Sequence, residues 1–303
     1  MERVIDYARA NLTTLKELDR EKTVCLMAVS PLEAHGPHLP LGTDVSVAEE
    51  VQRRLIARIS ERPGFRCLVL PPLYAGSDVV PYRGSVNVPA PAFKNLLLAY
   101  AGALAAQGFR YLLVTDNHGG PGHQIAMEKA ARQAWRKWRF YLLNPFGRIY
   151  RKMVCHDRDF LARIDLAPGT CGDDADSHAG TNETSLLLAI DSNLVDANYR
   201  QVPANRPKPL PGLPRLLSRL ARLAAAAGLK PAAQELDHLA ATLAWVGDRQ
   251  MLPYMGDPAL ASREAGERML EAHMTEAMNM LEEALSGQLV YTTPLLWWLR
   301  LLR

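Results

Sequence analysis

The sequence predicts a three-layer α/β/α fold built on a mostly parallel sheet. Over residues 23–143, short and uniformly apolar runs alternate with longer segments in which apolar residues recur every three or four positions. Uniform apolarity is typical of a strand buried on both faces, and the longer periodicity is typical of the helices that cover such a sheet. Loops rich in His, Asp and Gly follow two of the apolar runs, at the edge where α/β proteins bind ligands.

The first half of the chain supplies the elements of this sheet. Four apolar runs predict strands at residues 23–29, 67–70, 111–115 and 140–143. Helical periodicity between them predicts helices at residues 47–59, 92–107 and 127–138. Gly108 suits the position just after the second helix, where the backbone often turns left-handed.

The second half predicts mainly helices. Residues 145–180 show no clear pattern, residues 183–190 predict a buried helix, and the prolines of residues 201–215 predict an extended connector. A basic amphipathic helix follows at residues 213–223, and we expect its leucines to cover core. Residues 231–245 predict another helix. We expect Asp257 to cap a last helix, with Pro258 in its first turn, that runs to about residue 285.

Composition excludes several classes of protein. The chain has 303 residues, of which 48% are hydrophobic, and a net charge of +3, so it lacks the strong basic excess typical of nucleic-acid binding. It contains no apolar run long enough to span a membrane. The first 22 residues are too charged for a signal peptide, and the four scattered cysteines fit reduced thiols. We therefore expect a cytoplasmic protein.

Residues suited to metal binding concentrate in three segments. Residues 30–44, 116–123 and 173–185 hold five of the eight histidines, together with several carboxylates: the histidines are His35, His38, His118, His123 and His178. The first two segments directly follow predicted strands. Imidazole and carboxylate together suit zinc, manganese or iron, and the lack of nearby cysteine argues against a structural zinc site.

At these segments the sequence resembles the creatininase family, also called creatinine amidohydrolases. The first segment resembles that family's Glu-Gln-His-Gly-Pro-His-Leu-Pro-Leu-Gly-Thr-Asp signature, with Ala34 in place of Gln. The second resembles its Asn-Gly-His-Gly-Gly-Asn turn, and the third matches its Asp-x-His-Ala-Gly-x-x-Glu-Thr-Ser motif at every fixed position. The resemblance covers roughly residues 20–195 and 250–285.

The resemblance implies a two-metal hydrolase with a creatininase-like fold. By position, the family's metal ligands correspond to Glu33, His35, Asp44 and His118, with Asp44 as the bridge. Gly120 stands where creatininase has a glutamate ligand, so three alternatives are open for the second metal: Glu183 holds it, water holds it, or the site is weak. His178 corresponds to the family's catalytic histidine, and Asp176 is placed to orient it. We expect the substrate to be bound by Ser77, Gly119, Gly120 and His38.

Two departures from the family pattern argue against a creatinine pocket. Pro121 replaces the final Asn of the second motif, and the histidine usual after Gly76–Ser77 is missing. Residues 200–250 diverge from the family and predict a helical insertion that forms a lid. We treat residues 1–290 as one domain and residues 291–303 as an apolar tail that packs on its own core or on a neighbouring subunit. The alternative for this tail is a membrane-surface anchor or a docking segment. The resemblance also implies a homo-oligomer, often a hexamer.

These features predict a metal-dependent amidohydrolase acting on a small amide, cyclic amide, formamide or peptide-like substrate. Two divalent ions would activate a water molecule that attacks the amide carbon, and His178 would pass a proton to the leaving nitrogen. Two alternatives remain open. The same ligands would also serve a metal-dependent lyase or isomerase, and the altered second motif would suit a non-catalytic binding subunit.

Overall fold

A computed structural model describes residues 2–165, 176–206, 208 and 211–301. The strands within these ranges are β1 (Val4–Asp6), β2 (Thr23–Ser30), β3 (Arg66–Val69), β4 (Leu73–Tyr74), β5 (Tyr111–Thr115) and β6 (Tyr141–Leu143). Five of them form a parallel sheet in the order β1–β3–β2–β5–β6, and the short β4 pairs in parallel with the end of β2.

Helices connect the strands and fill the second half of the described chain. None of these helices is long and apolar enough to cross a membrane. They are α1 (Leu12–Lys16), α2 (Thr43–Ser60), α3 (Ala90–Ala106), α4 (Pro121–Trp138), α5 (Phe146–Val154), α6 (Arg158–Ile164), α7 (Thr181–Ile190), α8 (Leu213–Ala226), α9 (Lys230–Val246) and α10 (Arg263–Leu285).

Strand β2 lies at the centre of the sheet and shows why the fold has three layers. Its alternate residues enter two different cores: Val24 and Leu26 pack with residues of α2, α7 and α10, whereas Cys25 and Met27 pack with residues of α3 and α4. All eight residues of β2 are buried. A strand with both faces covered requires the uniform apolarity that predicted it, and the expected α/β/α fold is confirmed.

The long C-terminal helix begins later than predicted. Asp257 caps only a short 3-10 turn, Pro258–Leu260, by accepting a hydrogen bond from the Ala259 N–H. Helix α10 starts at Arg263, and the Ser262 hydroxyl caps it by accepting from the Ala265 N–H. The prediction that Asp257 caps the long helix was therefore wrong, because both residues are good caps and the Ser262 signal lies closer to the periodic segment.

The prediction that the α8 leucines cover core was wrong for most of them. Leu217 is buried, but the exposed fractions of the other four are between 42% and 67%: Leu213, Leu216, Leu220 and Leu223. Helix α8 packs mainly on α9, so only one narrow side of it is covered. Amphipathic periodicity shows that a helix has an apolar side, but not how much of that side a neighbour reaches.

The described part of the apolar tail packs on its own chain. Leu295 and Leu296 are buried with Phe146 and Tyr150 of α5. Leu239 of α9 packs against the same cluster, and Arg151 of α5 lies 2.7 Å from the carboxylate of Glu235 on α9. The tail therefore joins α5 to α9.

Candidate metal centre and its pocket

The polar segments meet at the carboxyl ends of two neighbouring strands. Strands β2 and β5 pair up to Ala28 and Thr115, so the loops that follow them leave the sheet side by side. The first loop carries Glu33 and His35 and the second carries His118. Asp44 and Glu183 arrive from the first turns of α2 and α7, where the helix dipole favours a carboxylate.

One group of possible ligands is Glu33, Asp44 and His118. Nδ1 of His118 lies 2.9 Å from Oε2 of Glu33 and 3.4 Å from Oδ2 of Asp44. All three residues are buried, and they form one of the groups that could hold a metal ion. The other oxygen of the glutamate, Oε1, accepts a hydrogen bond from the Val80 N–H, which leaves Oε2 facing the group.

A second group, His35, Asp44 and Glu183, shares Asp44 with the first. Nε2 of His35 lies 3.5 Å from Oδ1 of Asp44 and 3.5 Å from Oε2 of Glu183. The two oxygens of Asp44 thus face different imidazoles. This is the arrangement that a bridging carboxylate between two cations requires. A third, overlapping group joins Glu33 and His35 with His178.

Backbone carbonyls fix which imidazole nitrogens carry hydrogen. Nδ1 of His35 lies 3.0 Å from the Glu33 carbonyl, and Nε2 of His118 lies 2.9 Å from the Ser77 carbonyl. A carbonyl only accepts, so these two nitrogens donate. The opposite nitrogen of each neutral ring then turns a lone pair toward the carboxylates, as in metal-binding histidines.

Several polar atoms at the centre lack hydrogen bonds. Oε2 of Glu33, Nε2 of His35 and Oδ2 of Asp44 are buried and make no hydrogen bond of acceptable geometry, although other polar atoms lie close. Buried polar atoms are almost always satisfied, so lone pairs that converge without a hydrogen need another positive partner. The residues present therefore fit a divalent cation with oxygen and nitrogen ligands.

The pKa shifts of the candidate ligands also favour a bound cation. Burial opposes ionisation of Glu33 and Asp44, yet the neighbouring imidazoles outweigh burial and lower the pKa of both carboxyls. Burial likewise opposes charge on His35, but Asp44 and Glu183 raise its pKa to about 10, and Glu33 and Asp44 raise the pKa of His118. Burial raises the pKa of Glu183 to about 7. A bound cation would replace the protons that otherwise balance these carboxylates.

His178 lies beside the two groups. Its ring centroid lies 4.3 Å from that of His35 and 5.4 Å from that of Trp245. Nε2 donates to the Ala34 carbonyl at 2.8 Å, while Nδ1 lies 3.9 Å from Oε2 of Glu183. Burial and the charge of His35 lower the pKa of His178 to about 4, so this imidazole is neutral near pH 7.

Asp176 makes hydrogen bonds to the start of α7. Its carboxylate accepts from the N–H groups of Thr181 and Asn182, at 2.9 and 3.0 Å. Gly180 and Gly256 lie so close that a Cβ on either would overlap its Oδ1. Asp176 therefore orders the turn between His178 and Glu183. Its predicted action on the imidazole itself stays a prediction, and residues 173–175 of this segment lie outside the described residues.

The four residues predicted to bind substrate divide into two pairs. Gly119 and Gly120 line the pocket beside the metal groups, and a Cβ on Gly120 would meet His118 and two backbone carbonyls. Ser77 and His38 are absent from the described lining. Instead, the Ser77 carbonyl orients His118, and Nε2 of His38 lies 3.0 Å from the Thr184 hydroxyl oxygen.

Sequence reasoning left Asn117 without a role. Its side-chain amide donates to Oδ1 of Asp44 at 3.2 Å and to Oε1 of Glu183 at 3.1 Å. It therefore fixes two carboxylates of the second group relative to each other. Its place directly before His118 was the available signal, because a polar residue beside a candidate ligand often orients one.

The pocket extends from the metal groups to the insertion. Its open space is about 930 Å³, including the solvent at its mouth. Helix α9 supplies one wall, and α5 and α10 supply another. Within residues 200–250, only side chains of α9 are among the described residues that line the pocket, and the predicted lid stays a prediction.

Comparisons with known proteins found a matching family model and curated relatives. A family model described as creatininase, creatinine amidohydrolase, matches residues 8–281. The mycofactocin precursor peptide peptidase of Mycobacterium ulcerans (strain Agy99) is 32% identical over 177 residues, which cover 56% of this chain and 59% of that protein. The chain thus spans about six tenths of the length of this curated relative.

Solved structures share the fold at low sequence identity. A creatinine amidohydrolase (creatininase) structure is 20% identical, with a TM-score of 0.62 and coverage of 93% of this chain and 98% of that one. A structure described as "Creatininase Mn" is also 20% identical, with a TM-score of 0.62 and coverage of 92% and 98%. Both likenesses establish the common fold.

Proposed function

This chain belongs to the creatininase family, and on that premise we propose that it is a metal-dependent amidohydrolase that cleaves the C–N bond of a peptide-like amide. The observation that carries the proposal is the sharing of Asp44 between two groups of ligands, in which every residue but the partly buried Glu183 is buried. A single catalytic ion would need only one group. Two groups joined by one carboxylate suit a pair of ions acting on the same substrate.

Each of the two ions would have its own pair of ligands in addition to the shared Asp44. Glu33 and His118 would hold one ion, His35 and Glu183 would hold the other, and Asp44 would contact both. When bound, the cations polarise an amide carbonyl and make a water molecule more acidic. The "Creatininase Mn" structure supports manganese as the first ion to test, and zinc and iron suit the same ligands.

His178 is the group best placed to move a proton. Its Nε2–H is committed to the Ala34 carbonyl, so the lone pair on Nδ1 faces the pocket side near Glu183. A neutral imidazole at that position accepts a proton at Nδ1 and returns it to the departing amine nitrogen, which leaves poorly without one. The rings of His35 and Trp245 both pack against this imidazole and hold it in place.

Two observations favour a peptide-like substrate. The curated relative is described as a peptidase acting on a precursor peptide. The pocket also extends well beyond the metal groups, toward α9, and so has room for more than a small ring. The homo-oligomeric state and the cytoplasmic location stay predictions.

Metal dependence and product analysis test the proposal together. Chelator-treated protein should be inactive toward a panel of blocked dipeptides and amino-acid amides, and Mn²⁺ or Zn²⁺ should restore hydrolysis. The products should be an acid and an amine or ammonia in equal amounts. Rearranged or eliminated products would identify a lyase or isomerase instead, and metal-free protein of undiminished activity would contradict the proposal.

A further inference from the structure

One face of α9 forms a wall of the pocket. His238, Thr242, Trp245 and Val246 follow one another at helical spacing and all line the cavity that also contains Glu33 and His118. The indole of Trp245 is buried and fixed, because its Nε1–H donates to the Leu252 carbonyl at 2.8 Å. It lies beside the His178 imidazole, so a substrate at the metal groups would reach this wall.

Side chains of α5 and α10 form the facing wall. Phe146 and Tyr150 stack with their ring centroids 5.7 Å apart, and Met153 and Met269 continue the apolar surface. The Tyr150 hydroxyl lies 3.2 Å from Nε2 of His238 and thereby links the two walls. The ion pair between Arg151 and Glu235 joins the same two helices at 2.7 Å.

The charges around the pocket exclude an anionic group from this region. Among the described residues that line the pocket, none is Lys or Arg. The carboxylates of Asp78 and Asp176 line it in addition to those of the metal groups. A negatively charged substituent would therefore lose its hydration without gaining a cationic partner away from the metal groups.

We propose that α5, α9 and α10 form a subsite for an uncharged aromatic or bulky apolar side chain of the substrate, with Trp245 as its main specificity residue. The subsite rests on the proposed amidohydrolase function, because it places that side chain next to the amide at the metal groups. Fixed aromatic walls bind flat apolar groups with little loss of their own freedom.

Binding of two uncharged probes tests the subsite without requiring turnover. We expect the manganese-loaded protein to bind N-acetyl-L-phenylalanine amide at least about tenfold more tightly than N-acetylglycine amide, measured by calorimetry. Trp245→Ala should reduce that ratio to below about threefold, and Trp245→Phe, which keeps a ring, should preserve most of it. Trp138→Phe is the control, because Trp138 lies on α4 outside the described lining.

A charge introduced on the same wall supplies a second test. Thr242→Arg places a cation in the subsite, so it should weaken binding of the phenylalanine probe and strengthen binding of N-acetyl-L-glutamic acid α-amide about tenfold. Equal affinities of the wild-type protein for the phenylalanine and glycine probes would overturn the proposal. So would an unchanged ratio in folded, metal-loaded Trp245→Ala.

The outcomes also separate the subsite from the proposed function. Selective binding of the phenylalanine probe without hydrolysis of any amide would support the subsite and contradict the amidohydrolase. Metal-dependent hydrolysis that proceeds equally well on both probes, with equal binding, would support the amidohydrolase and contradict the subsite.

Discussion

Asp44 places one carboxylate oxygen 3.4 Å from Nδ1 of His118 and turns its other oxygen toward a different imidazole. It comes from the first turn of α2, whereas the histidine follows β5, so the pairing depends on how the helix docks on the sheet. Because both ligand groups need this carboxylate, a change at Asp44 should affect metal binding at both sites.

Replacement of the shared carboxylate should remove both ions. We expect Asp44→Asn to bind neither ion at metal concentrations that saturate the wild-type protein, and to lose more than about 100-fold in activity, because the amide lacks the charge that attracts a cation. Metal analysis by mass spectrometry measures this directly. Glu50→Gln is the control in the same helix, since Glu50 pairs with Arg53 and Arg54. Full metal retention in Asp44→Asn would contradict the bridging assignment.

Replacement of an unshared ligand should remove one ion. Glu183→Gln alters only the group of His35, Asp44 and Glu183, and His118→Ala alters only the group of Glu33, Asp44 and His118. Each variant should therefore keep about one equivalent of metal under conditions where the wild-type protein holds two. Native mass spectrometry resolves the stoichiometry. If Glu183→Gln still held both ions with unchanged affinity, Glu183 would not be a ligand.

Removal of the imidazole beside the metal groups should affect turnover more than metal binding. We expect His178→Ala to retain its metal and to lose about 10²–10⁴-fold in kcat, which is the usual contribution of a positioned acid–base group. Steady-state kinetics and metal analysis on the same preparation test this. A normal kcat in His178→Ala would show that His178 does not transfer the proton.

The centre of the fold was predictable because its signals are local. A uniformly apolar β2 implied burial on both faces, and parallel strands end at one edge of the sheet, so Glu33 and His118 were expected to meet. The family resemblance then added Asp44 and Glu183. These inferences require knowledge of the strand directions, but not of the detailed packing.

The second pocket wall was not predictable, because it depends on long-range docking. The contact between Tyr150 and His238 joins positions 88 residues apart, and α5 lies in a segment whose sequence showed no clear pattern. The leucines of α8 illustrate the same limit, since their periodicity did not reveal that only Leu217 and Ala221 of this helix are buried. Local pattern specifies an element, whereas packing decides which side of it is buried.

Packing of the tail should contribute measurably to stability. Leu295 is 2% exposed and packs against Phe146 and Tyr150, so Leu295→Ala should lower the free energy of unfolding by about 2–5 kcal/mol. Leu301 is 77% exposed, and Leu301→Ala should change it by less than about 0.5 kcal/mol. Urea denaturation of both variants checks the contrast. Equal effects would show that the tail is not packed as described.

The buried imidazole of His273 should make the protein less stable in mild acid. Burial outweighs the charge of Asp116 and lowers the pKa of His273 from 6.5 to about 4. Between these values the unfolded chain binds a proton that the folded chain does not. The free energy of unfolding therefore falls as the pH falls through this window, by up to about 3 kcal/mol from this residue.

His273→Gln cannot titrate, so the stability of the wild-type protein should fall more steeply than that of the variant between pH 6.5 and pH 4. Urea denaturation of the wild-type protein and of His273→Gln, at matched pH and with a chelator present, measures this difference in stability. The metal ligands titrate alike in the two proteins, so the difference comes from residue 273. If the free energies of unfolding of the two proteins fell in parallel with pH, His273 would not be the group that causes the loss of stability.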